Sequence, residues 1–170
     1  MIYFLIFLVL LIGAIKPAYA SDANFLIINQ IRGNEDCCDK GSGELIDEVI
    51  GSEKVQSLPM GWTIRYDVFE DPVIFDKIKK IKDLGLLLEI TPRLASEAKV
   101  KYKGSLNSQS SDWYFAKNSM LLGYSLEDRK KLIDTAFGKF KTKLGYFPSY
   151  TSAWMIDGWS LKYIHDQYGV

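Results

Sequence analysis

Histidine and cysteine are scarce in this chain: His165 stands alone, and the two cysteines, Cys37 and Cys38, are neighbours. Adjacent cysteines lack the Cys-x-x-Cys spacing of a dithiol redox centre, so redox chemistry ranks below the other readings. An excess of charge is also missing, because 21 Lys and Arg face 21 Asp and Glu. That balance removes the electrostatic case for nucleic acid or an anionic membrane as partner. No solenoid repeat, heptad run or phosphate-cradling glycine motif is present. What the chain does have is aromatics, 14% of residues. Several Trp and Tyr fall near expected strand ends, where they can stack on sugar rings or simply pack in a core.

The amino terminus carries one long apolar run, Ile2 to Ile15, followed by Lys16, Pro17 and the small-residue pattern Ala18-Tyr19-Ala20. This is the pattern of a secretory signal cut after Ala20, and the run is shorter than the roughly 20 apolar residues that a membrane span needs. The expected organisation is therefore a signal at 1–20 and a single domain at 21–170, secreted or periplasmic, with no stable membrane span once the signal is removed. Cleavage takes away one basic residue, Lys16, and leaves the acidic side chains one ahead. In an exported protein Cys37 and Cys38 can stay as separate thiols, close into a strained vicinal disulfide, or ligate a metal beside Glu35.

Downstream, apolar runs alternate with helical patterns in an α/β rhythm. Asn24 to Ile31 reads as a strand covered on both faces, and 43–55 as a helix. Gly61 to Asp67 reads as a second strand, followed by a helix from Pro72 to Leu84 that Asp71 caps and Gly85 ends. Leu86 to Ile90 is a third strand broken by Thr91-Pro92, and 91–124 a long loop over the carboxyl end of the sheet. Ser125 opens a helix to Leu144 with Gly145 as its stop; Tyr150 to Ile156 is a fourth strand, and Ser160 caps a last helix to Tyr168. These elements predict parallel strands alternating with helices in a partial (β/α) barrel. A βα series that halts at Gly169-Val170 exposes an unpaired sheet edge, as expected of a truncated chain or of one that pairs with a covering partner.

Each strand ends in charge: Arg32 with Glu35, Arg65 with Asp67, Glu89, and Asp157. Carboxylates converging at one mouth can serve as general acid and base, bind a divalent cation, or close the sheet as a structural ion-pair network. The two arginines can hold a substrate carboxylate or lower neighbouring carboxylate pKa values.

Four stretches together, Asn29 to Cys38, Ile64-Arg65-Tyr66-Asp67, Leu88-Glu89-Ile90-Thr91-Pro92 and Ala153 to Asp157 with Ser160-Leu161, resemble the polysaccharide deacetylase-like glycoside hydrolase/deacetylase (β/α)-barrel superfamily. The resemblance implies an incomplete barrel acting on cell-wall or extracellular carbohydrate. On such a barrel the charged strand tips make Asp67, Glu89 and Asp157 the expected catalytic residues, and Arg32, Glu35, Arg65 and Trp154 the expected substrate-binding ones. The chain departs from that family in its histidines. The family's metal site takes one Asp and two His, whereas His165 is alone within the last helical stretch, as a surface or helix-packing residue. Two functions follow: an exported hydrolase working through carboxylates without a His-bound metal, or a non-catalytic carbohydrate-binding or scaffold protein, or inactive fragment, of the same fold. The exported protein is expected to begin at Ser21, and an intact mass that retains Met1 overturns the signal assignment.

Overall fold

The computed structural model of the chain describes residues 26–35, 42–52, 57–104 and 117–170. The expected signal, the Cys37-Cys38 pair and most of the polar stretch 103–112 lie outside them. Four strands, β1 (Ile27–Ile31), β2 (Met60–Arg65), β3 (Leu84–Leu87) and β4 (Thr151–Ser152), form one sheet in the order β1-β2-β3-β4, every pair parallel. The sheet curls like half a barrel. Helices α1 (Ser42–Gly51), α2 (Pro72–Ile78), α3 (Pro92–Glu97), α4 (Leu126–Leu144) and α5 (Gly158–Tyr168) alternate with the strands. The α/β class and the parallel rhythm are as the sequence predicts.

Register assigns the two faces of the sheet. Ile31 stands beside Ile64, and Ile64 beside Leu86, so these side chains share a face with Leu84 and Leu88. They pack into one core with Ile74 and Ile78 of α2 and with Ile133, Phe137 and Phe140 of α4. The buried stripe of α4, Leu132, Ile133, Ala136, Phe137 and Phe140, is the one its periodicity predicts. Ser125 accepts from Asp128 N–H at its start, and Gly145, at φ 87°, ends it in the left-handed conformation that glycine adopts without a Cβ penalty.

The opposite face carries Gln30, Gly61, Thr63, Arg65, Gly85, Leu87 and Ser152 and becomes charged toward the carboxyl ends. At its other end Tyr150 lies across the two glycines. An added Cβ would come within 3.0 Å of Tyr150 Oη at Gly61 and within 2.5 Å of its ring at Gly85. The hydroxyl accepts from Trp62 N–H at 2.8 Å and donates to the Asp83 carbonyl at 2.8 Å. Above it, Ser152 Oγ donates to Thr63 Oγ1 at 2.8 Å.

Several expected boundaries shift, each for a local reason. Gly85 is a strand residue under Tyr150, not a helix stop; α2 ends at Ile78, and the left-handed turn falls on Asp83 at φ 58°. Thr91-Pro92 does more than break a strand: Thr91 Oγ1 accepts from Leu94 N–H and starts α3 inside the expected loop. The last helix is capped by Asp157, with Ser160 three residues inside it. Val73, though apolar and next in sequence to the buried Ile74, is 62% exposed in the first turn of α2. β1 is an edge strand of the described sheet, and Leu26, Ile27 and Ile28 are exposed, so it is not covered on both faces as its composition suggests. Gly85→Ala should cost about 1–3 kcal/mol through overpacking. Urea unfolding of that variant and of the Gly85→Ala, Tyr150→Ala pair checks this: the second substitution should recover part of the loss.

Candidate functional site

Arg65, the last residue of β2, sits at the carboxyl end of the sheet and is 6% exposed. Its Nε donates to Asp67 Oδ1 at 2.8 Å and its Nη2 to Asp67 Oδ2 at 2.7 Å, a bidentate pair. Nη1 reaches Glu89 Oε2 at 3.4 Å. Burial opposes the guanidinium charge, but the bonds and charges of Asp67 and Glu89 outweigh it and hold the Arg65 pKa above its ordinary value. Arg32, just past β1, grips Glu89 from the other side, with Nε 2.8 Å from Oε2 and Nη2 bonded to Oε1. Glu89 and Asp67 are 5% and 4% exposed, so with Arg65 they form a desolvated core that Arg32, its side chain 25% exposed, closes toward solvent.

Strand alternation predicts that Arg65 and Asp67 share a face, and they do meet, by another route. The chain leaves the strand at Arg65 and turns through a 3-10 helix, Tyr66–Glu70, which brings Asp67 back under the guanidinium. Asp67 then ties down the loop after β1: Oδ1 accepts from Gly33 N–H at 3.2 Å and Oδ2 from Glu35 N–H at 3.1 Å. Gly33 has to be glycine here, since a Cβ would stand 2.7 Å from Asp67 Oδ2. Arg65 Nη2 also donates to the carbonyls of Gly33 and Glu35, at 3.3 and 2.9 Å. Glu35 joins this loop to the start of α3, its Oε1 accepting from Arg93 N–H at 2.6 Å.

The sequence-predicted residues thus divide. Arg32, Glu35, Arg65, Asp67 and Glu89 come together at the mouth. Asp157 follows β4 at the same end of the sheet but forms its own unit: it caps α5, accepts from Ser160 Oγ at 2.7 Å and pairs with Arg129 at 2.9 Å. Burial raises its carboxyl pKa, and the Ser160 bonds and the Arg129 charge more than reverse this, leaving it below the usual range. Trp154 is 59% exposed between β4 and α5, and the bonds of the two arginines, Asp67 and Glu89 do not involve it. His165 is exposed on α5, Nδ1 3.3 Å from the Val170 carbonyl.

Sequence reasoning misses an open cleft of about 360 Å3 beside the cluster. Asp67 forms its floor, and Asn34, Glu35, Glu70, Asp71 and Arg93 its walls. Among the described residues no group of three or more His, Cys, Asp or Glu is placed to hold a metal ion. In the cluster, Arg32 and Arg65 occupy the carboxylate oxygens that a hard cation would need.

Compared with family models, curated proteins and solved structures, the chain matches none. What the structure shows is a parallel α/β sheet whose carboxyl-end mouth is closed by a buried arginine–carboxylate cluster. Arg65→Ala, which strands the buried Asp67 carboxylate and leaves Glu89 with Arg32 alone, should destabilise the protein by about 3–5 kcal/mol. Lys80→Ala, an exposed position just after α2, should stay within about 0.5 kcal/mol. Equal losses in urea unfolding would remove the cluster from its central place.

Proposed function

We propose that the chain is an exported carbohydrate-binding protein of the polysaccharide deacetylase-like (β/α)-barrel type, with Asp67 and Glu89 as the rigid floor of its mouth and not as acid and base. One observation carries the choice between binding and hydrolysis. Asp67 accepts four hydrogen bonds, two from Arg65 and one each from the Gly33 and Glu35 amides. An ionised carboxylate offers about four acceptor sites, so none is left to take a proton from water or a sugar hydroxyl. Glu89 is close to the same limit, with three bonds from two guanidinium groups. Carbohydrate as ligand rests on the motif resemblance together with the parallel sheet and its polar mouth.

Affinity electrophoresis in gels containing xylan, glycol chitin, laminarin or hydroxyethylcellulose tests this. The wild-type protein should be retarded by at least one of them while releasing neither acetate nor reducing ends. Turnover that Asp67→Asn abolishes would instead make Asp67 a catalytic base.

A further inference from the structure

The cleft beside the cluster is built differently from the saturated floor. It lies between the loop after β1, the end of the 3-10 turn 66–70 and the start of α3. Its volume of about 360 Å3 falls at the small end of the range for ligand pockets, about 300–1,000 Å3. Its walls are preformed. Asn34 Nδ2 donates to Asp71 Oδ2 at 2.6 Å, and Asp71 Oδ1 accepts from the Val73 and Ile74 amides at 3.1 Å each. Glu70 is held by Lys139 at 2.6 Å. The Lys139 bond and, more weakly, the charge of Arg93 keep the Glu70 carboxyl below its ordinary pKa, so this wall stays ionised.

Arg93 differs from these residues. Its backbone N–H is given to Glu35, while its exposed guanidinium makes no hydrogen bond or ion pair among the described residues. A planar five-donor group is thus presented to a cleft whose other polar walls, Asn34, Glu70 and Asp71, are already fixed in place. The acids Glu35, Asp67, Glu70 and Asp71 are matched in number by the nearby cations Arg65, Arg93, Lys139 and Lys143, so the cleft has no excess charge to attract an ionic ligand. A neutral polyol suits this mixture, because each hydroxyl both donates and accepts. Adjacent hydroxyls can give to carboxylate oxygens while taking from the guanidinium.

From this geometry, and resting on the carbohydrate-binding function above, we propose that the cleft holds one neutral sugar unit through its hydroxyls, with Arg93 as donor and Glu70 as acceptor. Arg93 is then the residue that sets affinity, and the buried cluster only holds the walls apart.

Arg93→Ala separates the two roles, because it removes the guanidinium and keeps the N–H that Glu35 needs. In whichever of the four polysaccharide gels retards the wild type, Arg93→Ala should weaken binding by about tenfold, the effect of losing one charged donor. Its melting temperature should not change. Arg93→Lys should restore part of the retardation, and the wild-type value should persist at high salt, as binding of an uncharged ligand requires. Full retardation of Arg93→Ala overturns the cleft and leaves the carbohydrate-binding function standing. A wild type retarded by none of the four polysaccharides removes that function, and the cleft assignment with it. Retardation that salt abolishes excludes a neutral ligand.

Discussion

A buried guanidinium is tolerated only when its charge and its donors are matched, and the carboxyl end of this sheet is arranged to match Arg65. Asp67 is brought back by a 3-10 turn, Glu89 arrives from beyond β3, and the carbonyls of Gly33 and Glu35 take the donors that remain. Three strand ends are thereby fixed relative to one another by a single side chain. The strands themselves are short, and β4 has only two residues. Hydrogen bonding between such strands fixes their pairing, but the positions of the loops beyond them depend on the cluster.

This dependence makes the mouth stiff where catalytic sites generally need a group with spare bonding capacity. Asp67 is spent on holding the loop after β1, and Glu89 on joining Arg32 to Arg65. The residues with room to meet a ligand lie around the edge of the cluster. Their own anchors, such as the bond from Asn34 to Asp71 and the pairing of Glu70 with Lys139, limit the entropy that a ligand would have to overcome.

Much of this architecture is legible in the chain because local chemistry and global fold agree. Ser125, Asp128 and Gly145 bracket α4 as cap, first-turn acid and left-handed stop, and Asp71-Pro72 opens α2 by the same logic. The meeting of Arg65, Asp67 and Glu89 is legible too, since charges at the ends of buried strands need partners. Sequence and structure part where one signal has two physical meanings. Thr91-Pro92 reads as a breaker, although a hydroxyl residue before proline is equally an N-cap and first turn, and that ambiguity hides α3 and Arg93. Gly85 has the look of a helix stop when its role is to leave room for Tyr150, a contact set by residues far away in sequence. Asp157 is grouped with Asp67 and Glu89 in the sequence reading because a strand tip and a helix cap look alike from residue type alone. Periodicity likewise cannot tell a central strand from an edge strand, so the apolar start of β1 suggests more cover than it has.

Tyr150 joins parts of the chain that are synthesised far apart. Its hydroxyl meets Trp62 across 88 positions and Asp83 across 67. During translation β2 and β3 are therefore complete long before the aromatic ring that seals the space between Gly61 and Gly85 leaves the ribosome. Closing so wide a loop is entropically slow, and until it closes the glycine-lined floor of the sheet stays open to water. A chain that has made β2 and β3 but not yet Tyr150 lacks the ring that covers both glycines.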